Sequence, residues 1–434
     1  MKKGLLMMAL LAATAVQAQK QWTLSDCIDY AMQHNITLKK AELTKKQATE
    51  EVLSAKAVLL PSLSASTNHS VGYSPWMDDK SGVSKTYYNG SYGINAQWTV
   101  WNGGQNSKQI KMNKLSESES ELEREVQANS VQESIAKIYV QILYTNEAIE
   151  VNRQSLEASK KNEERGLQML EVGKASKADV AQLTAQRATD EYNLVAMQTN
   201  LSNYKMQLEQ LMELEDGVEL TLAMPSAADE QALAVIPSFE QVYQQALLQR
   251  PEIKKSELAR QSSELQVSYA QAGNYPTVSL TAGANTSTSS RSSDNWGAQM
   301  KTNFDIMGGV GVSIPIFDNR RTKTAIRKAK LQHEQSLLEI DEKRDDLHDA
   351  IKSFWLDAHS NQEKFRAARV SVDSEQQSYN LLSEQFQLGL KNIIELMNGK
   401  TNLLTAQQNK LQSKYMTILT IQLLRFYQGE KMSL

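Results

Sequence analysis

The chain has 434 residues, 41% of them hydrophobic, with a formal charge of −3 and a mean hydropathy of −0.48. A balance so near neutral offers no broad basic surface for nucleic acid. Beyond the N-terminus no run of about 18 apolar residues occurs, which excludes a helical membrane protein but not a barrel, whose strands escape such a scan.

Residues 1–18 read as a secretory signal peptide. Lys2 and Lys3 form its positive end, Gly4 to Ala15 its apolar segment and Val16-Gln17-Ala18 its small-residue cleavage site, so the mature chain is expected from about Gln19. Cys27 is the only cysteine, which rules out an intrachain disulfide; it lies inside an amphipathic run and reads as a packed thiol. Residues 24–58 are expected as a helix, broken at Pro61. The next segment, 62–74, alternates Leu63, Ala65 and Thr67 with Ser62, Ser64 and Ser66, the period of a strand.

After a polar loop, a second strand is expected over about 87–101. Its one side carries Tyr88, Tyr92, Ile94, Trp98 and Val100, and its other Asn89, Ser91, Asn95 and Gln97. Such a strand is long enough to cross a bilayer. Trp98 and Trp101 fall at its far end, where an interfacial aromatic girdle would sit. From Asn106 to Leu170 there is no proline and only one glycine, Gly166. At ~1.5 Å per residue such a helix is about 100 Å long. Val131, Ile135, Ile138, Ile142, Ile149 and Leu156 mark a coiled-coil seam along it, as do Phe354, Ala358, Asn361, Phe365, Ala368 and Val372 later in the chain. A tight turn at about 171–177 and a further helix complete the first unit.

This whole unit recurs. Leu60-Pro61-Ser62 parallels Tyr275-Pro276-Thr277, Trp101-Asn102-Gly103 parallels Phe317-Asp318-Asn319, and Val172-Gly173-Lys174 parallels Leu388-Gly389-Leu390, always 215 or 216 residues apart. A constant offset across unlike motifs indicates duplication. The expected organisation is a signal peptide (1–18), a first repeat (19–212), an irregular connector (213–238) and a second repeat (239–434). The second repeat is expected to hold strands at about 276–286 and 301–317 around a polar loop, a long helix over 320–388 and a turn at 388–393. Four strands cannot close a barrel, since known membrane barrels begin at about eight strands, and open edges are not tolerated in hydrocarbon. Pooling strands in a cyclic oligomer solves this, and small polar inward residues favour three copies over two.

The duplicated helix–strand–strand–helix unit, the Leu-Pro-Ser-Leu-Ser strand entry and the Val-Gly…Ala-Asp-Val turn resemble the TolC family of outer-membrane efflux and secretion channels. The resemblance covers the mature chain. It implies a mainly α fold with a membrane β-barrel: a homotrimer forming a 12-stranded barrel on a long periplasmic α-helical coiled-coil tunnel. It also implies docking to a periplasmic adaptor (membrane fusion) protein and an inner-membrane transporter of RND, ABC or MFS type. The expected function is passive export of small molecules as the outer-membrane channel of a tripartite efflux pump. Type I protein secretion is the alternative within the family, and a secreted structural coiled coil the alternative outside it.

On the same resemblance, Val172, Gly173, Leu388 and Gly389 would be the adaptor-docking tips. Asp179, Phe386 and Lys391 would form a periplasmic gate, and Glu395 a carboxylate ring at the pore entrance. Phe386 stands where the family usually has tyrosine and Lys391 where it has arginine, so the lock would lack a hydroxyl bond and a planar fork. Gly173 and Gly389 also suit a purely structural role as helix C-caps. Tyr88, Tyr92, Trp98 and Trp101 are expected to face lipid. His333, His348 and His359 are spaced too far apart for one metal. No catalytic, nucleotide or cofactor motif is present, so neither an enzyme nor a cofactor is expected, and outer-membrane lipid rather than nucleic acid is the expected surroundings.

Overall fold

The computed structural model describes residues 21–77, 84–215, 220–224 and 228–433; the signal segment lies outside them. In chain order the elements are β1 (Gln21–Trp22), α1 (Leu24–His34), α2 (Ile36–Ala57), β2 (Ser62–Tyr73), β3 (Thr86–Asn102), α3 (Gln105–Glu171) and α4 (Lys177–Met212). There follow β4 (Thr221–Leu222), α5 (Ala228–Ala232), α6 (Phe239–Gln249), α7 (Pro251–Ala272), β5 (Thr277–Ser289), α8 (Trp296–Thr302), β6 (Asp305–Ser313), α9 (Arg321–Gln387) and α10 (Ile393–Tyr427). Each of the long helices α3 and α9 has 67 residues. The chain divides into two compact units, one of Met1–Lys40, Glu125–Pro251 and Arg344–Leu434, the other of Ala41–Arg124 and Glu252–Lys343.

The second of these units holds a four-stranded antiparallel sheet in the order β2-β3-β5-β6. Its register sorts the side chains into two faces. Leu63 opposes Ala96, Ala65 opposes Ile94, Trp98 opposes Leu280, and Leu280 opposes Val310, all on one apolar face. Ser62, Gln97 and Thr281 line up on the other, as do Ser64, Asn95 and Gly283. One irregularity alters the expected alternation. The register of β3 against β5 shifts between Thr99 and Trp101, leaving Val100 as the extra residue and setting Trp101 opposite Val278. A bulge of one residue moves every later side chain to the other face. It thereby brings Trp101 to the side of Trp98, and strict alternation through Val100 is corrected to that extent.

Three other expectations are corrected. The helix expected over 24–58 is two helices, because Asn35 ends one and starts the next. Its amide donates to Ala31 O at 2.9 Å, while its Oδ1 accepts from the Thr37 and Leu38 amides at 2.8 and 3.3 Å. In the second repeat Pro251 does this work, since the first helical position needs no N–H. The polar loop expected over 286–300 is partly ordered: β5 runs on to Ser289, and α8 is capped by Asn295, whose Oδ1 accepts from Ala298 N at 2.9 Å. Strand β6 is accordingly shorter than 301–317. Residues 301 and 302 finish α8, and beyond the Thr277–Ser313 pair β5 offers no further partner.

In the first unit the connector is partly regular. Strands β1 and β4 pair in parallel, and Tyr139 on α3 donates its hydroxyl toward Trp22 O and Ala223 O at 3.2 and 2.8 Å. On α9, Gln362 donates to Ala232 O and Ala234 O at 3.0 and 2.9 Å. Lys414 and Tyr415 of α10 both reach Glu147 at 2.6 Å. Cys27 is fully buried. The long-helix seams face inward at Val131, Ile135, Ile142, Ala358 and Phe365. Because Asn35 serves two helices and also donates to Leu211 O at 2.8 Å, Asn35→Ala should lower stability by about 1–2 kcal/mol, read as a lower denaturant midpoint with unchanged slope.

Candidate functional site

The two helix-to-helix turns, both in the first unit, are built alike. Gly173 and Gly389 have φ of +72° and +77°, the left-handed region that glycine enters without penalty. At the first turn Gly173 N donates to Leu170 O at 3.1 Å and Lys174 N to Met169 O at 2.7 Å; at the second, Gly389 N donates to Phe386 O at 2.9 Å and Leu390 N to Gln385 O at 2.8 Å. These are paired Schellman bonds. A Cβ added at either glycine would meet nothing within 4 Å, so the requirement is conformational. Val172 and Leu388, just before the glycines, are 68% and 74% exposed.

The helices that leave the turns also start alike. Ser176 Oγ accepts from Asp179 N at 3.1 Å while Asp179 Oδ2 accepts from Ser176 N at 2.8 Å. Asn392 Oδ1 accepts from Glu395 N at 2.9 Å while Glu395 Oε2 accepts from Asn392 N at 3.4 Å. Asp179 and Glu395, expected in different roles, are therefore repeat counterparts, each the third helical residue of a capping box. Lys391 Nζ donates to Glu395 Oε1 at 3.0 Å, so within the chain its carboxylate is Glu395, not Asp179. Phe386 is 5% exposed and packs with Met169, Leu183, Ile393 and Leu396. Asp179, Phe386 and Lys391 nonetheless line one cavity of about 360 Å³. The structure brings the three together without bonding them to one another.

Both acids are held below the ordinary carboxylate range, Glu395 chiefly by the Lys391 hydrogen bond and Asp179 by the Ser176 amide. A depressed folded pKa contributes stability that is present above the unfolded value and lost as pH falls through the folded one. The two caps therefore hold at neutral pH and weaken only in acid.

A buried cluster in the same unit was missed at the level of sequence. Lys400 of α10 donates to Asp190 of α4 and Ser159 of α3, and Ser159 donates to the same carboxylate. Gln186 Nε2 donates to Asp190 Oδ1 at 3.1 Å. Lys400 and Asp190 are 5% and 2% exposed, and burial pushes the Lys400 ammonium down while Asp190 opposes that shift. The signal was present: Lys400 lies between Leu396 and Leu403 on the buried stripe of α10, and Asp190 lies seven residues after the buried Leu183 on α4. Reading those stripes as wholly apolar hides opposite charges that match. Removing one partner of a buried pair costs about 3–5 kcal/mol, whereas replacing both by apolar groups is often neutral. Asp190→Ala should thus lower the melting temperature sharply, and Asp190→Leu with Lys400→Met should recover most of it.

In the other unit, Tyr88, Tyr92, Trp98 and Trp101 share the apolar face of the sheet. Trp98 Nε1 donates to Leu59 O at 2.8 Å, and Trp101 meets Tyr275 edge-on with centroids 6.3 Å apart. Tyr92 meets Trp296 edge-on at 6.2 Å. Among the described residues, no group of three or more His, Cys, Asp or Glu is placed to hold a metal.

Comparison with known proteins places this arrangement. The family model described as outer membrane efflux protein matches residues 27–213 and 242–430, the two repeats. The outer membrane efflux protein BepC of Brucella suis is 24% identical over 402 residues, which cover 92% of this chain and 83% of the relative. The outer membrane protein TolC of Escherichia coli is 21% identical over 395 residues, covering 88% and 77%. The crystal structure of the outer membrane protein VceC of Vibrio cholerae has the same fold, with a TM-score of 0.75 at 17% identity over 94% of this chain and 97% of that one. The fold is that of outer-membrane channels, strands for a barrel joined to helices for a tunnel, and this chain belongs to the outer membrane efflux protein family.

Proposed function

We propose that three copies of this chain form a passive outer-membrane duct of a tripartite pump, exporting small molecules delivered by a periplasmic adaptor and an inner-membrane transporter. The observation that carries the reading is the two-faced sheet. One face is apolar, the other is lined by Ser, Asn, Gln, Thr and Gly, and among the described residues the outer edges of β2 and β6 have no partner. Three sheets of four strands pair those edges and enclose a polar lumen. Energy comes from the transporter, whether of RND, ABC or MFS type.

The turns supply the docking surface in this reading. Val172 and Leu388 stand exposed beside Gly173 and Gly389, whose missing side chains let an adaptor approach the backbone closely. Asp179 and Lys391 rim one cavity over Phe386, and a neighbouring protomer's tip is the partner proposed to close it. Lys391 also neutralises Glu395 within each protomer, so the proposed carboxylate ring is partly masked.

In planar bilayers the purified protein should give stable conductance steps with mild cation selectivity. Lys391→Ala should raise conductance and, by unmasking Glu395, strengthen the selectivity; Glu395→Gln should weaken it. Reversal potentials and step sizes unchanged in both variants would defeat the assignment of this region to the gate.

A further inference from the structure

Just below the sheet, in the same unit, charge is almost wholly of one sign. Four segments join the strands to their helices, residues 52–61, 103–116, 265–276 and 319–333. Together they contain ten Lys and Arg and no Asp or Glu. The adjoining Asp318 is taken up by the Thr322 amide at 2.7 Å. Helices α3 and α9 consequently have no acid in their first turns, whereas α1, α4 and α10 each carry one there. The helix dipole disfavours cations in a first turn, so stability alone does not account for Lys108 on α3 or Arg321 and Lys323 on α9.

Part of this belt is shaped. A cavity of about 570 Å³ is lined by Arg320, Lys323, Arg327, Pro315, Ile316 and Phe317, and by one carboxylate, Asp318, whose charge the Thr322 amide takes up. Ile316 and Phe317 are 96% and 84% exposed, and they lie three and four residues past the end of β6, whose Val310 and Val312 lie on the apolar face. Among the described residues no carboxylate pairs with Arg320, Lys323 or Arg327. Lower on the same helices, Lys45 meets Glu121, Lys255 meets Glu123 and Arg124 meets Glu42. Apolar side chains beside unpaired cations, next to the Trp98 and Trp101 end of a membrane sheet, match the interface between acyl chains and phosphates.

We propose that this cavity and the basic belt around it bind the headgroup phosphates of anionic phospholipid in the periplasmic leaflet, with Arg320, Lys323 and Arg327 on the phosphate and Ile316 and Phe317 against the acyl chains. Arginine suits the role because its fork meets two phosphate oxygens at once. A second copy of the chain is a poor occupant, since its strand–helix junctions would bring the same cations and a single acid, Asp318, which its own Thr322 amide already holds. The inference rests on the outer-membrane location, which fractionation of expressing cells tests separately; the lipid experiment uses purified protein and decides the site by itself.

The detergent-purified full-length protein is titrated with phosphatidylglycerol or phosphatidylcholine and examined by native mass spectrometry, and the oligomer is sized in parallel. Wild type should retain phosphatidylglycerol in preference. Replacing all three cations (Arg320→Gln, Lys323→Gln, Arg327→Gln) should cut that preference by about tenfold or more, as expected for three near-surface cations, with the oligomer intact. The same charge change at Lys205, Lys352 and Lys364 should leave the preference in place. Equal retention of both lipids by wild type, or a preference that survives the triple substitution, overturns the proposal. So does loss of the oligomer in the triple variant, which would make this face a contact between copies.

Discussion

Backbone hydrogen bonding in a medium without water is the constraint on which the rest of this structure depends. Each unpaired N–H or C=O in hydrocarbon costs several kcal/mol, and a four-stranded sheet leaves two open edges, on β2 and β6. The duplication answers half of the problem by placing β3 of one repeat against β5 of the other. The register then decides which side is apolar, since pairing by the wrong residue would send Leu63, Ile94, Leu280 and Val310 to the polar side. The bulge at Val100 belongs to the same logic. It costs one ladder position and in return sets both terminal tryptophans on the apolar face.

The helices solve a different problem, that of staying ordered over many turns with little apolar surface. Their seams mix Val, Ile and Phe with Ala and Asn, so burial alone is thin along much of their length. Polar anchors make up for this at particular heights. Tyr139 and Gln362 tie connector carbonyls to mid-helix positions, Glu147 receives Lys414 and Tyr415, and Asp190 receives Lys400. Polar anchors of this kind specify register because a slip leaves a buried charge or carbonyl without its partner.

At the turns, the fold and the proposed function draw on the same atoms. The glycines needed for left-handed backbone also leave bare surface, which the proposed docking of a partner would use. Of the acids that cap α4 and α10, Asp179 lines the shared cavity beside Lys174 and Lys391, while Glu395 reaches it only through Lys391. An acid fixed in a capping box is a well-positioned point charge, which suits the proposed ring of carboxylates. Lys391 adjusts how much of that charge is felt.

Much of this architecture was legible in the amino-acid sequence, because periodicity and offset are local properties. Alternation disclosed the strands, the lack of proline disclosed α3 and α9, and the 216-residue offset disclosed that Gly173 and Gly389 do the same work. Pattern could not disclose events that depend on a partner far away in the chain. Where β6 ends was decided by where β5 begins, and which face Trp101 takes was decided by a bulge against β5. Asp190 and Lys400 lie 210 residues apart, and only packing of α4 against α10 makes them one ion pair. Phe386, expected at a gate, is drawn into the core between Met169 and Leu396 because both turns converge there. By itself the sequence determined the elements, their order and their duplication, since these follow from neighbouring residues. Tertiary structure decided register, charge pairing and which polar groups are buried, because those depend on contacts that close only when the repeats meet.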